Sequence, residues 1–421
     1  MKLNAKVNNL PVLTMNSLKL NAAPLDIDIE FKENRTLKPA CLPKGITVES
    51  GVGSDELADR FKKLGIGNPK EMIVAGKYPI YNTQGFATGM GSDIDKLMKL
   101  TGTGADVYTI DSSYKSDSPI LLHYVFADGD NVLDNTFIHA KEGSESTIIM
   151  YYSCDDLIAD IKPGDDGKLA ADKNTGLSDN LTADINDDRL GILTADKKGF
   201  SGNQTRVYLE KNAKVHLIKV QMLDKGFLFF DDIGGYSEAD SSFEVTKLEL
   251  GAGNVYDGLN EAQMGYRSDF RVNYGYIGLP DTVCDINYND VFWGKKSNGV
   301  MRFNEALIGN AKKTFRGTVD FREGCKAASG DEQEDVLLFG EDIVNKTIPL
   351  ILGEEEDVEG RHAATIGKLS DDMLFYMQSR GIDKRKAEEL MVEASITSIS
   401  SRIPSEELQA RITQYIRNVF S

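Results

Sequence analysis

The sequence predicts a mainly β protein. Its expected core is a solenoid of short strands, flanked by an N-terminal mixed α/β region and a C-terminal helical domain. Three observations carry this. From about Asp106 onward, short runs such as VYTI, ILLHYVF, TFIHA and TIIMYY alternate apolar and polar residues, and each is closed by Gly, Asp, Asn or Ser; that is strand patterning with turn punctuation. Further on, apolar centres recur roughly every 15 residues, as at Val283, Val300 and Phe315, and a regular rung of that length with no helix between rungs fits coil stacked on coil better than a parallel α/β sheet. From Ser370 the pattern turns helical. A β-sandwich is the structural alternative, because the rung period is approximate.

The elements follow in order. Residues 1–104 form the mixed N-terminal region, with helices expected over 54–64 (SDELADRFKKL) and 92–100 (SDIDKLMKL); both open with Ser-Asp caps and carry apolar residues at helical spacing. Residues 105–368 form the β core. It is interrupted at about 155–203 by a segment rich in Asp, Lys, Asn and Gly with almost no aromatic residue, which reads as an insertion looped out of the strands. Two fragments there, Asp172–Gly176 and Asp184–Asp188, invite a calcium reading. An EF-hand loop needs Glu at its twelfth position, and those positions hold Ala183 and Ala195, so a solvated acidic face is preferred.

Residues 369–421 form the helical domain. Ser370 is a good N-cap, since its hydroxyl can accept from a free N–H of the first turn, and Asp371 and Asp372 put negative charge at the positive end of the helix dipole. Gly381 ends that helix as a left-handed cap. Asp383 then caps a helix with Ala387, Leu390, Met391 and Ala394 on one face, and after Pro404 a last stripe runs through Leu408, Ile412, Tyr415, Ile416 and Val419. These helices are expected to pack on the end of the solenoid and shield its open edge, to dock a partner, or both.

Composition narrows the function. The chain has 421 residues, 66 acidic against 48 basic, and a net charge of −18. Such a surface repels nucleic-acid phosphates and anionic membranes. The start, MKLNAKVNNLP, has no signal-like apolar run, and no stretch nears the roughly 20 apolar residues that cross a bilayer. A cytoplasmic protein is expected. Cys41, Cys154, Cys284 and Cys325 show no CxxC spacing, which argues against a disulfide framework and a self-contained zinc or ferredoxin site.

Catalytic motifs are missing too. There is no GxxxxGK[ST] loop and no GxSxG elbow, so the chain is expected not to be an enzyme. Solenoids can carry sugar-cleaving acid pairs, but Asp231 and Asp232 are adjacent and Asp285 and Asp290 are five apart; both spacings put the partners on opposite faces of a regular strand. His123, His139 and His216 sit inside alternating strands and read as satisfied strand histidines. His362 stands apart, where a strand-like acidic run hands over to the Ser370 helix.

That handover also carries a resemblance. In Asp357–Ile382, DVEGRHAATIGKLSDDMLFYMQSRGI, a His followed by A-T-x-G, an acidic pair and L-F-Y-x-x-S-R-G-I resembles the C-terminal signature of SufD and SufB, scaffold subunits of the SUF iron–sulfur cluster assembly system. A weaker likeness covers Pro11–Asn21, PVLTMNSLKLN. The resemblance implies a right-handed parallel β-helix and a complex with the ABC-type ATPase SufC and with SufB, or with a second copy of this chain in SufB's place. It implies that Phe375, Tyr376, Arg380 and Gly381 shape a SufC-facing elbow and that His362 offers a nitrogen to a transient iron–sulfur cluster; Cys325 is a weaker ligand candidate. Imidazole can replace thiolate on cluster iron. ATP-driven closure of SufC would then shift the subunit interface.

The departures are as informative. Where SufD-type proteins often carry Cys two residues before the histidine, this chain has Gly360; where SufB follows it with Glu, there is Ala363; and the SufB Q-C-D strand reads Gln333-Glu334-Asp335 here. The chain is thus SufD-like rather than SufB-like. An adaptor solenoid that binds an ATPase without touching a cluster is the main rival, and a β-helical polysaccharide-active enzyme the second.

Overall fold

A computed structural model of the chain describes residues 2–12, 15, 18–31, 36–37, 42–66, 86–116, 118–154, 162–163, 169–170, 197–368 and 370–420. Its core is a parallel β-solenoid of eight rungs, each built from two strands. In chain order the rungs are Ala105–Ile110 with Ile120–Val125, Asn131–Ala140 with Glu145–Ser153, Lys198–Leu209 with Lys214–Met222, and Gly226–Ser237 with Ser242–Glu249. Then come Asn254–Gln263 with Asp269–Gly278, Val283–Phe292 with Asn298–Ile308, Lys312–Phe321 with Ala328–Phe339, and Val344–Gly353 with Val358–Gly367. The first strands of all rungs stack in parallel into one sheet and the second strands into another. Val255 lies beside Cys284 and Cys284 beside Lys313, so a full coil returns after two of the strand-length repeats visible in the sequence.

Alternation decides what faces inward. Phe243, Val245, Phe270, Val272, Met301 and Phe303 from one sheet meet Phe229, Ile233, Leu259, Ile286 and Phe315 from the other, all fully buried. Each such side chain contributes about 1.5–3 kcal/mol by leaving water. In-register aromatics stack from rung to rung, Tyr124 on Tyr152 at 4.6 Å and Phe292 on Phe321 at 4.8 Å between ring centroids.

The strand Lys198–Leu209 begins inside the stretch assigned to an insertion (155–203), which corrects that boundary. Its early residues Ser201, Asn203 and Gln204 are small or polar yet buried, and they join the ladder against Asn131–Ala140. Backbone pairing, not side-chain pattern, makes this a strand. The two candidate calcium fragments lie outside the described residues.

The two ends of the solenoid differ. At the start, Ile46–Val52 and Thr36–Leu37 pair antiparallel with the first-rung strands Ala105–Ile110 and Ile120–Val125, covering the edge. At the far end, Val344–Gly353 and Val358–Gly367 pair, among the described residues, only backward with the seventh rung.

The N-terminal region lies on the outer face of the first sheet. A hairpin of Lys2–Val7 with Ala23–Asp28 and helices α1 (Ser54–Lys63) and α2 (Ser92–Thr101) bury Leu97, Met98, Leu57 and Phe61 against Leu133, Phe200, Phe230 and Phe137. Both helices are capped by glycines, Gly53 and Gly91, without a side-chain cap; Ser54 and Ser92 are already helical. Polar clamps hold the chain down: Asn8 Nδ2 donates to Asp285 Oδ1 at 2.7 Å, Met90 N–H to Asp232 Oδ1 at 2.7 Å, and Arg316 Nε to the Leu20 carbonyl at 2.8 Å.

Three helices follow the last rung: α3 (Asp371–Ser379), α4 (Lys384–Ser400) and α5 (Glu406–Val419). Ser370 and Asp383 cap the first two as expected, accepting from the N–H groups of Met373 and Lys386 at 3.2 and 2.9 Å. The last two helices do not shield the open edge. They lie on the outer face of the second sheet, where Val392, Ile396, Ile412 and Ile416 meet Ile149, Ile218, Val220 and Leu248, and Tyr415 donates to the Leu250 carbonyl at 2.5 Å. The buried face of α4 runs through Ala387, Val392, Ile396 and Ile399, leaving Leu390 and Ala394 exposed; it is rotated from the expected stripe because it packs on a broad sheet rather than on one neighbouring helix. No helix among the described residues is long and apolar enough to cross a membrane.

Candidate functional site

The open end of the solenoid forms a mouth. In the seventh rung Lys313, Phe315, Gly317, Val319 and Phe321 point into the lumen from one sheet, and Glu332, Glu334 and Val336 from the other. The eighth rung continues those columns in register: Asn345 over Lys313, Thr347 over Phe315, Gly360 over Gly330 and His362 over Glu332. A Cβ at Gly360 would meet Phe321 at 3.0 Å and Ile351 at 3.2 Å, so this position faces inward. His362, two residues on, shares that face. No ninth rung lies above it among the described residues, and His362 is exposed.

Beneath His362 the lumen is charged. Lys313 is fully buried between Glu305 and Glu334, forming ion pairs with both. Glu334, in the Gln333-Glu334-Asp335 strand, is therefore an internal counter-ion. Glu332 is 1% exposed, its Oε2 has no hydrogen-bond partner among the described residues, and burial, with Glu334 and Asp331 adding, pushes it up to about 8. On the opposite wall Asn345 Oδ1 and Nδ2 and Thr347 Oγ1 also lack partners among the described residues.

The remaining ligand candidates are elsewhere. Cys325 is buried in the turn of the seventh rung, its N–H bonded to the Arg322 carbonyl, and burial pushes its thiol up to about 11. His362 sits four residues along from Val358, which pairs with Ala328 just after that turn; at strand rise this is about 13 Å. Cys284 is buried at the start of its strand, on the other lateral edge from the Cys325 turn. Cys154 receives the Asp224 N–H at 3.4 Å, and Cys41 lies outside the described residues. His123, His139 and His216 are bonded to Ser153, Glu210 and Thr246 at 2.9, 2.7 and 2.9 Å. Among the described residues no three His, Cys, Asp or Glu gather as a metal-holding group.

A second feature adjoins the last strand. Helix α3 leaves Met373 51%, Phe375 73% and Tyr376 56% exposed, an apolar surface that water penalises. The guanidinium of Arg380 lies 5.4 Å from the Tyr376 ring centroid. Gly381 takes φ 84°, a left-handed turn that lets the chain reverse into α4.

The acid pairs separate as strand parity requires. Asp231 faces the lumen, paired with Lys219 at 2.5 Å and Lys247 at 2.6 Å, while Asp232 faces out toward Met90. Asp285 binds Arg316 on the outside, and Asp290 takes a hydrogen bond from Gln263 inside. What sequence reading missed is the lumen's charge: Lys219, Lys247 and Lys313 are all buried among carboxylates. Lysine at inward strand parity was the available signal.

The family model described as SUF system FeS cluster assembly, SufBD core domain, matches residues 185–395, which takes in the mouth, α3 and most of α4. The chain belongs to the SufB/SufD family. Within it the chain is SufD-like: it is 27% identical over 140 residues to the iron–sulfur cluster assembly protein SufD of Bacillus subtilis, covering 33% of this chain and 32% of that protein. It is 22% identical over 225 residues to SufD of Escherichia coli, covering 52% of this chain and 51% of that one. A third SufD, from Plasmodium berghei, is 25% identical over 246 residues, 57% of this chain and 18% of that protein. The matches thus span about half or less of these relatives.

Proposed function

We propose that the chain is a SufD-like scaffold subunit of the SUF iron–sulfur assembly system. A SufC-like ATPase docks on α3, and a SufB-like subunit, or a second copy of this chain, closes the open rung. The observation that carries this is the asymmetry of the solenoid: its first edge is capped by antiparallel strands, while its last edge is unpaired among the described residues and presents His362 beside an exposed apolar helix. An unpaired edge of two full strands is a template for another chain. The cluster is cargo on this reading. His362 supplies one nitrogen donor, the partner across the edge supplies thiolate, and ATP-driven movement of the docked ATPase opens and closes the gap through α3 and the rigid α4–α5 pair.

A specific observation supports the adaptor alternative as well: no thiol stands at the mouth among the described residues, and Glu334 is tied to Lys313. One experiment separates the two. The chain is co-expressed with its host's SUF proteins, captured by a tag, and reconstituted anaerobically with iron and sulfide as wild type and His362→Ala. Capture of the ATPase with loss of the cluster's visible absorption in the variant supports the scaffold reading. Capture with identical spectra makes the chain an adaptor, and failure to capture any ATPase sinks both.

A further inference from the structure

We propose that Glu332 is a second donor beside His362, so that the mouth of this chain binds one ferrous ion between a carboxylate and an imidazole. The proposal rests on the ligand role given above to His362 and adds a residue to it.

Register places the pair. Glu332 and His362 are direct neighbours on adjacent parallel strands and share the lumen face. Neighbouring strands lie about 4.8 Å apart, a spacing at which two side chains on one face can share a first-row metal ion with ligand bonds of about 2.0–2.2 Å. The neighbours of Glu332 are already engaged. Asp331 pairs with Arg302 at 2.7 Å, Asp335 accepts from Gln333 at 2.9 Å, and Glu334 is held by Lys313. Glu332 alone in this acidic run has neither an ion pair nor a side-chain hydrogen bond among the described residues, although it is buried.

An isolated buried carboxylate is costly unless something satisfies it. The fold makes room for it nonetheless: at Gly317, across the lumen, a Cβ would collide with the Glu332 carboxylate. The unpartnered oxygens of Asn345 and Thr347 line the same end. One carboxylate, one imidazole and neutral oxygens suit a divalent first-row ion, and the remaining coordination positions stay open toward the edge where cargo would be handed over.

The test is anaerobic titration of the purified full chain with Fe²⁺, and with Co²⁺ as a spectroscopic probe, comparing wild type with Glu332→Gln, Glu332→Asp and His362→Ala. The surface change Glu359→Gln is the control. Wild type and control should bind one ion per chain with the visible bands of N/O-ligated Co²⁺. Glu332→Gln should weaken binding at least tenfold while the melting temperature holds. If Glu332→Gln does not fold, Glu332→Asp, which withdraws the carboxylate by one methylene, should show the same loss. Unchanged affinity in the folded Glu332 variant overturns the proposal. If His362→Ala alone abolishes binding, the ligand role of His362 stands and only that of Glu332 fails. If wild type binds no ion, the two-donor site does not exist, while ATPase capture is unaffected by that result.

Discussion

Gly360 and Glu334 show how single positions set what this chain can hold. A side chain at Gly360 points into the lumen against Phe321 and Ile351 at 3.0 and 3.2 Å, so a thiol there needs only a small adjustment and lands on the same face as His362. Gly360→Cys should therefore add sulfur-to-iron charge-transfer absorption to the reconstituted complex; spectra identical to wild type would show that the position is not at the cluster. Glu334→Cys should fail as a route to a ligand. Its side chain lies under the mouth as a counter-ion of Lys313, and the exchange weakens an internal ion pair. Both positions were visible in the sequence as departures from a motif. Their opposite consequences follow from depth in the lumen, which register supplies.

At the scale of elements, α3 is the part whose surface and stability should separate cleanly. Phe375→Ala and Tyr376→Ala remove side chains that are largely exposed. Their effect on melting should be within about 0.5 kcal/mol, while docking of the ATPase weakens on the order of tenfold or more each, as for aromatic anchors at an interface. Isothermal titration with the purified ATPase reads the second and a thermal melt the first. Ser370→Ala acts differently: it removes the cap on the Met373 N–H, costs about 1 kcal/mol, and should appear as faster amide exchange in the first turn of α3. The caps of α3 and α4 were legible because they depend on a few consecutive residues. The exposed face of α4 was not, because Leu390 and Val392 are both apolar and only the sheet beneath selects between them.

The whole solenoid carries an excess of internal acid. Glu261 and Asp290 are lumen neighbours in register, and burial pushes each up to about 8, from 4.5 and 3.8 respectively. Each is a carboxyl whose folded pKa is raised. Its contribution is complete below the unfolded value and is lost as pH climbs from there to about 8. Glu261→Gln should therefore leave the melting temperature unchanged near pH 4.5 and raise it near pH 8, where the neutral amide removes a penalty on the order of 4 kcal/mol; equal curves at both pH values would show that Glu261 is not titrating. Lys247 is the opposite case. It holds Asp231, Asp257 and Glu249 at 2.6, 2.7 and 3.3 Å, and Lys247→Met should cost about 3–5 kcal/mol, seen in urea unfolding.

Local pattern reached as far as local causes do. Strand alternation, turn punctuation and helix caps are fixed by neighbours in the chain, and they gave the solenoid, its approximate start at Ala105 and the helices after Ser370. The first residues of the strand Lys198–Leu209 escaped because these small polar side chains are ordered by pairing with strands on either side. The charged lumen, the uncovered final rung and the placement of Glu332 under His362 depend on residues about 30 positions apart meeting at one rung spacing. No window of sequence contains both partners, so stacking of the coils had to bring them together.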